Sequence, residues 1–400
     1  MFAVAACVAV TVAAMGVLWP SGTRPAAPPG VAGAPRPIRA KVIFTRTYAC
    51  RYTVGPEGGA PGASATAATC ETSQVLLGGG PERGREASVD TNSAAGNASL
   101  RRGDRIFVSR TVAPGADAVY GFVDYQRGRS LAVLGLLFAG VVVAVARWRG
   151  IGALAGLIVT WLVLVGFLLP ALLQGRNSLA VALVASSLIL CLVLFIAHGV
   201  NARTATALLG TLASLVLVGL LGTLAVAFAH LTGLASEEGA FLQSVAGGVQ
   251  LRGLLLAGMV IGSLGVLNDM TVTQASAVWE IHAADPSQEF RRLYTSGMRV
   301  GRDHIASTVY TLVLAYAGAA LPLLLLFDLG SRRVADVVTS EIISEEVVRT
   351  LVGSIGLVAC VPLTTALAAL VVLATPRHTV PSGRRNGRQS ARWMLRRSRS

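Results

Sequence analysis

Long apolar runs dominate the chain, and most of them are close to the length of a membrane-crossing helix. Eight runs reach or approach the ~20 residues that a spanning helix requires. They extend from Met1 to Trp19, Leu131 to Ala146, Ile151 to Leu173, Leu179 to Ala197, Ala205 to Ala229, Leu251 to Leu267, Ile305 to Phe327, and Leu351 to Thr375. The pattern predicts an α-helical integral membrane protein with about eight transmembrane helices, seven of them in a membrane domain at residues 130–375.

The charges of the loops predict how these helices are oriented, because cytoplasmic loops are enriched in arginine and lysine. Alternate loops on one side carry Arg147, Arg149, Arg203, Arg291, Arg292, Arg299 and Arg302, and eight more arginines lie between Arg377 and Arg399. The loops on the other side carry Glu237, Glu238 and further acidic residues. We therefore expect a multi-pass protein of the bacterial plasma membrane with both termini in the cytoplasm and residues 20–129 outside the cell.

The segment between the first two apolar runs is different in kind. Residues 1–19 are either a cleaved signal sequence or a retained anchor, and both would export the segment after them. Residues 20–40 are rich in proline, alanine and glycine, which is typical of an extended linker. Residues 41–129 contain five short β-type runs separated by glycine-rich breaks: Lys41 to Tyr48, Glu71 to Leu77, Glu86 to Asp90, Asp104 to Val112, and Ala118 to Tyr125. They predict a small extracytoplasmic β-rich domain, an OB-like or hammerhead barrel, that serves as a rigid cap or binds a protein partner.

Composition supports a membrane class and argues against several others. Only 14% of the residues are charged, against about 25% in soluble proteins. The net charge of +14 is concentrated in the loops and in the basic tail at 376–400, which we expect to be disordered. This arrangement favours anchoring at the lipid bilayer over nucleic-acid binding. Cys50 and Cys70 could form one disulfide in the exported domain, and no spacing of histidine and cysteine indicates a metal site.

A dense run of polar residues comes after the sixth apolar segment and holds the strongest functional signal. Polar groups inside a membrane are costly, so a cluster of them indicates a functional site. In a helical conformation, the spacing of Asp269, Thr273, Ser276 and Glu280 would place them on one face. Asn268, Thr271 and Gln274 add to the same polar run. Asp285 and Pro286 then predict the start of the next helix, with the aspartate as its N-cap.

The next span begins with a second polar stripe, formed by Asp303, Ser307 and Thr311 at intervals of four residues. The two stripes could face each other, with Arg299 or Arg302 as counter-charges and His304 as a group that titrates near neutral pH. Gly258 and Gly262 have the spacing that allows close approach of two membrane helices. Two interpretations stay open. The polar residues either form interface ion pairs and satisfy backbone groups, or line a vestibule in which Asp269 or Asp303 binds a cation or proton.

A resemblance rests on these same residues. Gly265 to Glu280, the sequence Gly301-Arg302-Asp303-His304-Ile305-Ala306-Ser307-Thr308, and Thr311 to Gly318 resemble the YibE/F-like family of bacterial multi-spanning membrane proteins. The resemblance extends over about Lys41 to Ala374 and implies one N-terminal span, an exported domain and a helical membrane region. Many relatives are expected to have an acidic residue where this chain has Asn268, which argues against a mechanism with two carboxylates at that place. The family has no firmly assigned activity.

The sequence therefore favours a permease-like or transport-related role for an unknown small solute or ion, with its polar site at the sixth and seventh spans. The alternative is an anchored accessory or sensor protein whose exported domain binds a partner without transport. We expect no enzyme activity and no cofactor, because the chain has no zinc-protease motif, no nucleophile elbow and no Walker loop.

Overall fold

A computed structural model describes residues 2–21, 36–52, 66–90, 99–112, 115, 117–246, 248–329, 336–337 and 339–375. Most of the predicted linker and all of the predicted basic tail lie outside these residues. The chain divides into two compact units, one formed by Met1–Pro25 and Gly152–Ser400 and the other by Ala26–Ile151.

The smaller unit contains a closed five-stranded barrel. Its strands are β1 (Ile38–Tyr52), β2 (Thr66–Leu77), β3 (Glu86–Asp90), β4 (Arg105–Thr111) and β5 (Val119–Tyr125), in the order β1-β2-β3-β5-β4 around the barrel. Strands β3 and β5 pair in parallel, and the other neighbours are antiparallel. This arrangement confirms the prediction of a small β-barrel.

Alternation along the strands builds the barrel core, because successive side chains of a strand point to opposite faces. Val42, Val75, Val89, Ile106 and Val108 are each at most 1% exposed. A turn at Arg102 and Gly103 leads into β4: the backbone amide of Arg101 donates to the Asp104 carboxylate, and Gly103 has a φ of +97°. A β-bulge after Val42 shifts the register of β1 against β2.

The helices of the chain are α1 (Phe2–Leu18), α2 (Gly128–Ala146), α3 (Trp148–Leu173), α4 (Ser178–His198), α5 (Ala202–Phe228), α6 (Glu237–Val245), α7 (Leu251–Ala284), α8 (Phe290–Ala319), α9 (Leu321–Leu329) and α10 (Glu341–Ala374). Within α3, residues Leu164–Leu168 form a wider π-helical turn just before Pro170. Asparagine side chains begin two of the helices: Asn177 accepts from the amide of Ala180, and Asn201 from that of Thr204.

Among the described residues, six helices are long and apolar enough to cross a membrane: α2, α3, α4, α5, α7 and α10. This supports a membrane-embedded protein but not the full count of eight spans. The first predicted span is a helix of 17 residues, shorter than the other six. The predicted span from Ile305 to Phe327 is not one helix, because α8 ends at Ala319 and α9 begins at Leu321.

In the larger unit, α5, α7 and α10 pack against one another, with α4 and α8 on their outer sides and α1 against α4. Leu208, Leu215, Leu267, Leu357 and Cys360 lie in the shared core and are at most 1% exposed. Close packing of α10 on α5 depends on two glycines. A Cβ atom at Gly210 would collide with the Thr364 hydroxyl, and one at Gly356 would collide with Val218.

Candidate functional site

The polar run predicted to form a helix is the second half of α7, which continues without a break from Leu251 to Ala284. Its apolar half and its polar half therefore share one axis. The prediction that Asp285 and Pro286 start the next helix is wrong. Asp285 lies just past the end of α7, and its carboxylate accepts from the amide and the hydroxyl of Ser287, whereas α8 starts only at Phe290.

Gln274 joins three helices inside the bundle. Its side chain is fully buried, and Nε2 donates to the backbone oxygen of Gly297 on α8 at 2.8 Å and to Oγ1 of Thr365 on α10 at 2.7 Å. The orientation of the amide is fixed, because a carbonyl oxygen can only accept and must face the amide nitrogen. Oε1 is therefore turned away from these two acceptors, and it has no hydrogen-bond partner among the described residues.

A second pair of hydroxyls lies beside Gln274 and connects α7 to α5. Thr211 and Thr271 are fully buried, and their Oγ1 atoms are 2.6 Å apart. Thr364, next to Thr365 on α10, is also fully buried, and its hydroxyl lacks a partner among the described residues. We call these five residues, Thr211, Thr271, Gln274, Thr364 and Thr365, the polar layer. The layer lies on α5, α7 and α10 and reaches α8 through the backbone oxygen of Gly297, and it offers more acceptors than donors.

The backbone contributes to the same excess of acceptors. Pro362 lies inside α10 and has no N–H, so the carbonyl of Val358 loses its usual helical donor. The side-chain oxygen Oδ1 of Asn268 is likewise buried without a partner among the described residues. The helix surfaces that meet here therefore present several acceptors that a cation, a water molecule or another donor could satisfy.

Glycines on α8 make this meeting of helices possible. A Cβ atom at Gly297 would lie 2.8 Å from Cγ2 of Thr365 and 2.9 Å from Cγ2 of Val278, and one at Gly301 would collide with Val361. The prediction of close approach at Gly258 is wrong, since nothing lies within 4 Å of a Cβ atom there. At Gly262 the nearest atom is the hydroxyl of Tyr316, at 3.3 Å.

The two predicted stripes lie on the outer sides of their helices. Asp269 and Glu280 are exposed on α7, with Thr273 and Ser276 half-buried between them, and Asp303, Ser307 and Thr311 are exposed on α8. The contacts of Gln274 with Gly297 and of Gly262 with Tyr316 show that α7 and α8 run antiparallel. This register puts Asp269 and Asp303 at a similar height. That the stripes enclose a common space stays a prediction.

The charged groups of the stripes have few partners in the part of the chain that the structure describes. Neither Asp269 nor Asp303 has a side-chain ion pair there, and the predicted counter-charges Arg299 and Arg302 are exposed and pair with neither. Glu280 instead accepts from Arg203 of α5 at 2.9 Å.

Three hydroxyls of the stripes bond to their own helix. Those of Thr273, Ser307 and Thr311 donate to backbone oxygens three or four residues earlier. The imidazole nitrogen Nδ1 of His304 is buried without a partner among the described residues.

The sequence revealed only part of this arrangement. The polar run of α7 indicates Thr271 and Gln274, but it does not indicate Thr211, or the pair Thr364 and Thr365, which lie in otherwise apolar parts of their helices. The sequence feature that could have indicated these threonines is a glycine or a proline close to each of them.

Cys50 and Cys70 lie on the adjacent strands β1 and β2, where Cys70 is opposite Tyr48 and Cys50 is opposite Ala68. Their side chains lie outside the described residues, so the disulfide stays a prediction. Cys7, Cys191 and Cys360 are free thiols within helices.

A comparison with protein-family models places these helices in a known group. Residues 134–374 match the model of the YibE/F-like protein family, which is more than half of the chain. The chain belongs to the YibE/F-like family. The match covers α7, α8, α10 and the whole polar layer, whereas the barrel lies before it. No match was found among curated proteins or among solved structures.

Proposed function

We propose that this YibE/F-like protein is permease-like and moves a small solute or ion along the polar faces of α7 and α8, with the carboxylates of Asp269 and Asp303 in the path. One observation carries the proposal. Asp269 lies just past the middle of α7, a helix apolar enough to span a membrane, and is exposed without an ion-pair partner among the described residues. A bare carboxylate against acyl chains costs several kcal/mol, so water or another polar surface must cover it.

Two further features support the same path. Asp303 lies at a similar height on the antiparallel α8, so two carboxylates could bind one cation or share one proton. The polar layer lies just inside these stripes and supplies uncharged acceptors. Non-helical backbone and unpaired acceptors are tolerated at membrane depth where they line a polar cavity.

Flux measurements on the full chain in proteoliposomes test the proposal. Protons, sodium ions and glycerol are the probes, followed by an enclosed pH dye, a sodium dye and vesicle swelling. We expect the protein to admit at least one probe faster than empty vesicles do, and Asp269→Asn and Asp303→Asn to reduce that rate at least tenfold. Asp285→Asn is the matched control, because it removes a carboxylate from the loop between the two helices and off both stripes.

The folded state of each variant is checked by thermal melting, so that a lost flux is not a lost fold. The proposal is contradicted if the wild-type protein passes none of the probes, or if both variants pass the active probe at the wild-type rate.

A second candidate function, a sensor or accessory protein whose barrel engages a partner, is favoured by one surface of β1. The hydroxyl of Thr45 turns inward to Ser73 at 3.0 Å, so the neighbouring Phe44 and Arg46 point outward, as does Tyr48. Phe44 is 58% and Tyr48 43% exposed. Under this alternative, replacing Phe44 and Tyr48 with serine abolishes partner binding while Asp269→Asn has no effect. Under the transport proposal the outcome is the reverse.

A further inference from the structure

A cavity of about 210 Å³ lies at the end of the bundle opposite to Arg291 and Arg292, which are in the first turn of α8. This half-open cavity is bounded by the segment between α5 and α7, which includes α6, and by the N-terminal parts of α7 and α10. The cavity is separate from the polar layer. On α7, the residues that line the cavity begin at Leu251, whereas the polar layer begins only at Thr271.

The walls of the cavity are held in place by charged groups outside its lining. The carboxylate of Glu341 at the start of α10 accepts from the hydroxyl of Thr232 at 2.6 Å and from the amide of Gly233 at 3.1 Å. Arg252 Nε donates to the backbone oxygen of Leu231 at 2.9 Å. Gly233 has a φ of +79°, and a Cβ atom there would lie 2.9 Å from the Leu251 oxygen, so the segment after α5 is fixed closely on α7. The cavity is therefore pre-formed, which favours binding.

The charges that line the cavity leave a negative excess. Glu238, Glu345 and Arg349 contribute to its wall. Arg349 is already neutralised, because its NH1 donates to Glu346 at 2.6 Å. Glu238, which is exposed, and Glu345 have no ion pair among the described residues, and Oε1 of Glu345 and Nε of Arg349 are each buried without a hydrogen-bond partner there. A buried carboxylate oxygen in this state is costly unless a donor reaches it, and the excess of negative charge favours a cationic donor.

Apart from Ser236 and two glycines, the rest of the lining is apolar. Leu242 of α6 and Leu251, Leu254 and Leu255 of α7 form this part of the wall. A hydrated metal ion would leave these side chains without a matching surface, and no group of three or more metal-ligating side chains occurs among the described residues. A protonated amine on a short aliphatic group matches both the acidic and the apolar part of the lining. Its N–H groups donate to the carboxylates, and its carbon chain packs on the leucines.

From this combination we propose that the cavity between α6, α7 and α10 binds a small alkylammonium cation, with Glu345 and Glu238 as its anionic partners. This goes beyond the proposed transport function and uses none of its residues. Binding is measured on the protein in detergent and does not depend on flux across a membrane. The failure of one proposal therefore leaves the other intact.

Equilibrium binding of tritiated isopentylamine to the purified full chain, at a pH where the amine is protonated, tests this site. We expect saturable binding that excess unlabelled isopentylamine displaces and that isopentanol and isovalerate, of similar shape but neutral or anionic, do not. Glu345→Gln removes the charge and should weaken binding at least tenfold. Glu289→Gln is the matched control, because this exposed glutamate precedes α8 at the other end of α7.

A cavity-filling variant keeps the proposal testable if Glu345→Gln does not fold. Leu242→Phe keeps every charge and adds a ring to the cavity, so it should abolish binding even if Glu345→Gln fails to fold. The proposal is overturned if isopentanol or isovalerate displaces the amine as well as unlabelled amine does. It is also overturned if no saturable binding is found, or if the folded variants at Glu345 and Leu242 bind like the wild-type protein.

Discussion

At the scale of single residues, the polar groups of α7 fall into two classes that sequence spacing does not separate. Gln274 and Thr271 turn inward and bond to three neighbouring helices, whereas Asp269 turns outward without a partner in the described part of the chain. Inward amides and hydroxyls between membrane helices contribute little to stability, about 0.6 kcal/mol per hydrogen bond on average. The carboxylate is the costlier group, and the transport proposal gives a reason for its position.

Replacing Gln274 with leucine separates stability from function. The change removes two interhelical hydrogen bonds but also the unpaired Oε1, so we expect the free energy of unfolding to fall by only about 1 kcal/mol. If the polar layer serves transport, the flux of the active probe should fall much more, by tenfold or more. Unfolding in a denaturing detergent and proteoliposome flux measure the two quantities. A loss of more than about 3 kcal/mol with unchanged flux would assign the layer a purely structural role.

Asp285 lies outside the membrane-spanning segments and predicts how the stability of the fold depends on pH. Hydrogen bonds from the hydroxyl and amide of Ser287 and from Gln288 hold the pKa of this carboxyl below its ordinary value of 3.8. A carboxyl with a lowered pKa in the folded state stabilises the fold above the unfolded pKa, and this contribution is lost as the pH falls through the folded pKa. The difference in melting temperature between wild type and Asp285→Asn should therefore be constant near pH 6 and shrink below about pH 4. A difference that grows on acidification would contradict the assignment.

At the scale of elements, apolar periodicity predicts the positions of helices well and their limits poorly. The apolar run from Leu179 to Ala197 corresponds to the observed helix Ser178–His198. The predicted strand from Glu86 to Asp90 has the same limits in the structure. The helices α7 and α10 extend many residues beyond their apolar parts, because a helix continues through polar residues when the flanking packing supports it. No apolar pattern in the sequence indicates the break between α8 and α9 at Ala320 or the presence of the helix α6. The polar layer depends on contacts between distant segments, which one-dimensional spacing does not encode.

Glycine substitutions on two helices test the packing that forms the layer. Gly297→Ala should destabilise the bundle by about 1–3 kcal/mol, because its Cβ would lie 2.8 Å from Thr365 Cγ2 in a closely packed interior. Gly258→Ala on α7 should be neutral or stabilise by up to about 1 kcal/mol, since nothing lies within 4 Å and alanine is the better helix former. Thermal melting of the two purified variants compares them directly. Equal melting temperatures would mean that α8 does not approach α10 as described.

At the scale of the whole molecule, the chain combines two units with separate cores. The barrel core of Val42, Val75, Val89, Ile106 and Val108 is closed within the smaller unit, and the leucine- and valine-rich core of α5, α7 and α10 lies within the larger one. The family match covers residues 134–374, which include most of α2 and all of α3 to α10, and neither α1 nor the barrel.

The barrel should therefore fold without the helices. Residues 36–127 produced alone are expected to give a β-type circular dichroism spectrum and one cooperative melting transition. Ile106→Asp, at a fully buried position, should abolish that transition, whereas Val119→Asp, at a position 67% exposed, should leave it in place. A disordered wild-type segment would show that the barrel needs the rest of the chain.

The reactivity of single cysteines towards a charged, membrane-impermeant thiol reagent tests the transport account most directly. Cysteines are placed at positions 269, 273, 303 and 307 of a variant of the full chain without its native cysteines, and at Leu220 and Leu314 as apolar exposed controls. Thiols in contact with water ionise and react, whereas thiols facing acyl chains do not. The account predicts that the four stripe positions react at least a hundredfold faster than the two leucine positions in intact proteoliposomes. Equal, slow reaction at all six positions would show that no water reaches the carboxylates and would contradict the account.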